Sequence, residues 1–429
     1  MVRMPRNVRN RVLIAAAALS LAAVTSGFSP AASAAGRPRA PGAGVPPAAV
    51  AAAHVSPRST VPWRRVGPGW VLAQYWPGRY ADPGRAIAAP VTMYLIDPTG
   101  RRYLIRRWAA TKKPLGLIDW SGDKTRALLF DSASGRLEQL TLATGRVSHI
   151  GPPAQVPWFT LSYTRPAGHG LLGFRQIHGT SQVVRLSLTG RLVKVLASGS
   201  HDGTAVYSSS GRTIAVAGAT GLQLVSTNGG VIRRLPVPHT GSSGCRPSRW
   251  WNSRIILASC VARGAPRSRL WLVPASGARP RPLTPQHGPH SPDPGDFTAW
   301  ATPDGLYLQA ATRSGHVLIF QQRANGTVRA IKAPGSANFN WIASAHGSRL
   351  LVNQAAPCAA ADSVLWFNPA TGREQSLIKA PRGRAGALGF VPYGPPFADI
   401  VISVVCSVSQ SWAWHSPGAM VFAPGLRRT

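Results

Sequence analysis

Seven times in this chain a short apolar run ends in a polar residue, a glycine and a further turn residue. The copies are IDPTGRR (96–102), LATGRV (142–147), LTGRL (188–192), STNGG (226–230), PASGAR (274–279), RANGTV (323–328) and PATGRE (369–374). Glycine supplies the positive φ that tight hairpins need, so each copy reads as a turn between two strands. The turn glycines Gly100, Gly145, Gly190, Gly229, Gly277, Gly326 and Gly372 recur at intervals of 39 to 49 residues. A period of that length with several short strands per unit is the signature of β-propeller blades, which stack around an axis and bury a core between them.

A second series runs out of phase with the first. An aromatic residue ends a short strand before a polar turn at Trp120, Tyr163, Tyr207, Trp251, Trp300, Trp341 and Phe390. Large flat rings at this period are expected to fill the wedge between neighbouring blades. The first glycine turn has no aromatic start before it, and the last aromatic start has no glycine turn after it. The two chain ends are therefore expected to complete one blade, which removes the free sheet edges of an open ring. This predicts an all-β, seven-bladed β-propeller with a composite closing blade, with eight blades as the alternative. WVLAQY (70–75) and DIVISVV (399–405) compete for the same strand of that blade.

Ahead of the repeats, Arg3, Arg6, Arg9 and Arg11 precede an apolar run at 12–27 and a small-residue site, Ala32-Ser33-Ala34. Residues 1–34 read as a secretory signal peptide, which predicts a secreted, extracellular protein. Residues 35–62, rich in Ala and Pro, read as a disordered linker, and 63–429 as the propeller. The even set Cys245, Cys260, Cys358 and Cys406 suits an oxidising compartment. We expect Cys245 to pair with Cys260 across one hairpin, and Cys358 with Cys406.

The turns WSGDKTRALLF, SSSGRTIAV and TPDGLYL resemble the TolB-type, WD40-like propeller repeat. The chain from about residue 63, with its GPGWVLAQYW opening and CRPSRWWNSRIILASC unit, is similar to secreted TolB-like proteins of actinobacteria. That resemblance implies a propeller and specifies architecture rather than activity.

Chemistry is sparse in the sequence. No G-x-S-x-G elbow marks a hydrolase, Ser200-His201-Asp202 reads as a turn, and His287 with His290 lacks a third ligand, so neither a metal nor a cofactor is expected. Only 13 Asp and Glu face 48 Lys and Arg, for a formal charge of +35. So few acids argue against a carboxylate-built centre and leave the positive charge as the strongest signal. The expected function is a non-enzymatic binding scaffold at the cell envelope, monomeric, with a protein or an anionic polymer as partner; specific nucleic-acid binding is not expected. The candidate polyanion contacts are Arg101, Arg102, Arg106, Arg107, Arg233 and Arg234. The alternative is a small-ligand or catalytic site at the channel mouth, for which Tyr163, His169, His201, Trp251, Trp300 and Asp304 are the candidates.

Overall fold

The structure, a computed structural model, describes residues 55–77, 89–111, 115–131, 136–150, 158–177, 180–199, 205–218, 221–238, 240–262, 267–285, 295–311, 317–323, 327–331, 339–355, 363–379 and 386–392. Within them the short apolar runs are strands, and the glycine turns hairpin them into antiparallel meanders. These form seven blades in a ring.

Blade 1 contains β1 (Val55–Pro57), β2 (Val71–Pro77), β3 (Ala89–Ile96) and β4 (Arg102–Thr111). Blade 2 is β5 (Leu115–Trp120), β6 (Arg126–Asp131), β7 (Arg136–Thr141) and β8 (Val147–Ile150). Blade 3 is β9 (Trp158–Tyr163), β10 (Leu171–Ile177), β11 (Thr180–Leu186) and β12 (Leu192–Gly199), and blade 4 is β13 (Ala205–Tyr207), β14 (Thr213–Gly218), β15 (Gly221–Ser226) and β16 (Val231–Leu235). Blade 5 is β17 (Thr240–Asn252), β18 (Ile255–Ala262), β19 (Ser268–Pro274) and β20 (Arg281–Pro282). Blade 6 is β21 (Gly295–Thr302), β22 (Gly305–Ala311), β23 (Val317–Gln322) and β24 (Val328–Ile331), and blade 7 is β25 (Phe339–His346), β26 (Arg349–Ala355), β27 (Ser363–Asn368) and β28 (Arg373–Lys379). The last strand, β29 (Gly386–Pro392), returns to blade 1, whose order is β29-β2-β3-β4-β1. Around the axis β29 touches β5 and β25, β5 touches β9, and β13, β17, β21 and β25 touch in succession.

The composite blade thus forms as expected, with Phe390 opposite Ala73 in an antiparallel register running from Val71↔Pro392 to Pro77↔Gly386. Three details differ from the sequence reading. WVLAQY lies largely in β2, second from the axis; the axial strand is β29, and 399–405 falls outside the described residues. Trp341 is the third residue of β25 rather than its end, because this strand continues as IASAH. The linker was expected to reach residue 62, yet Val55–Pro57 pairs in parallel with Arg102–Leu104, and Val61 is buried in the core. The Pro content of this stretch had suggested disorder, but an edge strand tolerates proline. Among the described residues, six turn glycines adopt positive φ, from +70° at Gly372 to +98° at Gly229; Gly326 lies outside them.

The core is divided by the ring. Seven apolar clusters lie between consecutive blades, from the one joining Leu72 and Met93 of blade 1 to Leu117 and Trp120 of blade 2, to the one joining Ala343 and Trp366 of blade 7 to Val71 and Ile96 of blade 1. Trp120, Tyr163, Tyr207 and Trp300 are each buried in such a wedge. Cys245 and Cys260 sit directly opposite on β17 and β18 and form the expected disulfide. Cys358 and Cys406 lie outside the described residues, as do residues 1–54 and His201.

Candidate functional site

In a four-stranded meander the first and third hairpins lie at the same end. The turns after the axial aromatics and the glycine turns therefore share one face of the disc, and both show how blades grip their neighbours. A Cβ on Gly229 would stand 2.6 Å from Lys194 Cε, and one on Gly277 3.0 Å from Arg233 Nη1. A basic side chain of β12 thus covers the glycine turn of blade 4, and one of β16 covers that of blade 5. In the same way Arg106 donates to Gly145 O, and Gln375 of blade 7 donates to Thr99 O beside Gly100. The glycines serve both the turn and the packing of a neighbour's long side chain, which only a missing Cβ allows.

Nearer the axis the grip is polar. Gln74 Oε1 accepts from Leu117 N at 2.9 Å, Asp119 Oδ2 from Tyr163 N at 2.7 Å, and Gln309 Oε1 from Ile342 N at 2.8 Å, each bond crossing from one blade to the next. Asp119 also pairs with Arg165 of blade 3, whose Nη2 donates to Oδ1 at 2.7 Å; the two side chains are 3% and 6% exposed. Burial pushes the Asp119 acid upward, against the pull of Arg165 and of the amides of Tyr163 and Trp120. Among the described residues Arg165 Nε and Nη1 and the Tyr207 hydroxyl find no partner. The chain after Arg165 is pressed between two turns: a Cβ on Gly122 would strike Pro166 O, and one on Gly211 would strike Arg165 O. This cluster locks blades 2, 3 and 4 together.

The site candidates separate on this frame. Tyr163 is wholly buried, its hydroxyl donating to Gln139 Oε1 at 3.2 Å, and burial raises it far above the ordinary phenol range. His169 and Asp304 are exposed on turns of blades 3 and 6 and are not brought together. Trp251 and Trp300 do converge, around a residue that the repeat pattern did not single out. Arg249 stacks 3.8 Å above the Trp300 ring and 5.5 Å from that of Trp251. It donates to Trp250 O and Ala299 O, both at 3.4 Å. Burial lowers its guanidinium to about 10. Its position inside the RWW run of an axial strand was the available sequence signal: an arginine set among tryptophans on an inner strand finds π faces or carbonyls.

The basic pairs also divide. Arg101 Nε donates to Ser56 Oγ at 3.0 Å, Arg102 Nε to Leu377 O at 2.7 Å, and Arg106 to Gly145 O, so these three tie blade 1 to β1 and to both flanking blades. Arg107, Arg233 and Arg234 are exposed. Among the described residues no group of three His, Cys, Asp or Glu is placed to hold a metal ion, and no helix is long and apolar enough to cross a membrane.

No protein-family model matches the chain, and no curated protein is detectably similar to it in sequence. Solved structures do match. A puromycin-hydrolyzing peptidase of Mycobacterium tuberculosis is 14% identical with a TM-score of 0.50, the match covering 74% of this chain and 54% of that one. TolB from Acinetobacter baumannii is 12% identical at 0.42, covering 76% and 67%. The propeller domain of the Trilobed protease from Pyrococcus furiosus is 10% identical at 0.49, covering 73% and 93%. This chain spans about half the length of the mycobacterial peptidase it matches. Structural neighbours thus include both TolB and peptidase propellers; at such identities the likeness shows the β-propeller fold and assigns no activity.

Proposed function

We propose that this chain is an exported, non-enzymatic propeller that binds an anionic partner at the cell envelope. The observation that carries this reading is the distribution of charge around the ring. Blades 3 to 5, residues 158–285, hold sixteen Lys and Arg and a single carboxylate, Asp202. Arg191, Lys194, Arg212, Arg233, Arg234, Arg254, Arg279 and Arg281 of that sector are exposed. A contiguous cationic sector attracts a polyanion along its length, and forked guanidinium groups hold carboxylate or phosphate at close range. The test is binding to immobilised polyglutamate as salt is raised. Saturable binding should persist at physiological ionic strength, where the Debye length is about 8 Å. Arg233→Glu with Arg234→Glu should weaken it more than Arg136→Glu with Arg373→Glu, which change exposed residues of blades 2 and 7. Equal losses from the two double variants, or no binding at that salt, would refute the reading.

Arg249 favours a second reading, a small-anion site between Trp251 and Trp300. In that case Arg249→Met abolishes quenching of tryptophan fluorescence by a small carboxylate ligand, which the charge changes at Arg233 and Arg234 leave intact.

A further inference from the structure

The outer strands of blades 3 and 4 carry an arrangement that the charge reading leaves unexplained. Among the described residues six large hydrophobic side chains are exposed, and four of them lie here: Leu192 and Val193 on β12, and Val231 and Ile232 on β16, between 40% and 56% exposed. Each apolar pair is followed at once by cations, Lys194 after the first and Arg233 with Arg234 after the second, and Arg191 precedes the first. The two strands belong to adjoining blades: Gly230 N donates to Leu196 O at 2.9 Å, and the Lys194 chain lies over Gly229. Each is the outermost strand of its blade, so both apolar pairs and their cations lie on the rim, in a region with no carboxylate in the sequence between Glu138 and Asp293 except Asp202.

A soluble polyanion would meet the cations of this strip and leave its valines and isoleucine in water. The interface of an anionic bilayer offers both halves of the match, headgroup phosphates for Arg and Lys and acyl boundary for the aliphatic side chains. We infer that the rim formed by β12 and β16 docks on an anionic lipid surface. The inference rests on the anionic-partner reading above and names the partner as lipid.

The experiment is co-sedimentation of the full chain with vesicles of phosphatidylcholine, alone or mixed with phosphatidylglycerol, with hydrogen exchange followed at 192–194 and 231–234. All variants share the same N-terminal apolar run, so differences between them report on the rim. Expected are binding to the mixed vesicles only and slowed exchange in both strands. Arg233→Ala with Arg234→Ala should weaken binding about 25-fold, at about fivefold for each basic residue near an anionic surface. Val193→Ser and Ile232→Ser, surface changes that remove aliphatic carbon, add no charge and leave the blade cores untouched, should weaken vesicle binding about tenfold yet leave binding to soluble polyglutamate unchanged. Wild-type vesicle affinity in both serine variants, or exchange slowed elsewhere but not in these strands, overturns the inference. Polyglutamate binding without vesicle binding sinks the lipid assignment alone, and binding to neither sinks the anionic-partner reading as well. Self-association of the chain that Ile232→Ser abolishes would assign the strip to a second copy instead, and also overturns it.

Discussion

Asp119→Asn is expected to destabilise the propeller by about 3–5 kcal/mol, the usual cost of removing one partner from a buried ion pair. The structure explains why the upper part of that range applies. Arg165 is 6% exposed, Asp119 is its ion-pair partner, and Nε and Nη1 already lack an acceptor among the described residues. The substitution would thus leave a guanidinium charge buried with nothing to neutralise it. Arg165→Met should cost less, about 2 kcal/mol, because Asp119 keeps the amides of Tyr163 and Trp120 and can take up a proton. That proton gives a further check. Without Arg165 the folded-state acid rises further above its unfolded value, so the folded variant binds more protons than the unfolded chain, and stability increases as pH falls. The Arg165→Met penalty should therefore shrink between pH 7 and about pH 4. The double variant should cost about 2–3 kcal/mol less than the sum of the singles, since charge and countercharge leave together. Urea unfolding followed by tryptophan fluorescence, with Trp120 adjacent to the pair, measures all of these. Additive costs, or an Asp119→Asn loss under about 1 kcal/mol, would refute the view that this pair locks blade 2 to blade 3.

Gly211→Ala should cost about 4 kcal/mol or more, because its Cβ would collide with the backbone carbonyl of Arg165. Gly230→Ala, at a similar positive φ with nothing within 4 Å, should cost only about 1 kcal/mol; comparing thermal midpoints separates collision from backbone strain. Reducing the Cys245–Cys260 bond, which spans 15 residues, should lower stability by about 3 kcal/mol in the chain-entropy account, read from urea midpoints with and without reductant. Burial raises the Asp123 acid, but hydrogen bonds from Ser121 and Thr125 and the Arg126 charge outweigh this and hold it below its ordinary value. Its contribution is thus present above the unfolded value and lost as pH falls through the folded one. Asp123→Asn should destabilise by about 1 kcal/mol at pH 7, a loss that shrinks as pH falls through the folded-state value.

The blade period was legible because hairpin glycines and axial aromatics are local signals: turn geometry and wedge volume each select one residue type at one position. Contacts between blades were less so. Asp119 and Arg165, or Gln309 and the Ile342 amide, lie about one repeat apart, but a period does not tell which residues of adjoining repeats meet. Arg249 was hidden for the same reason, since its stacking partner Trp300 belongs to the next blade. The pairing of β1 was missed because Val55–Pro57 ends a stretch rich in Ala and Pro and gains its structure from the edge of β4.

The union of β29 with β2 also fixes an order in time. A chain is synthesised from its N-terminus, and Val71 cannot meet Pro392 until six further blades have been made. Up to that moment the protein is an open arc, with the edge of blade 1 and the flank of blade 7 both awaiting partners, and closing so long a loop is slow. Loss of the residues after Lys379 would leave that arc permanently unsealed, with Val71 and Ala73 deprived of the strand beside them. The stability of every blade is therefore in part hostage to the strand that arrives last.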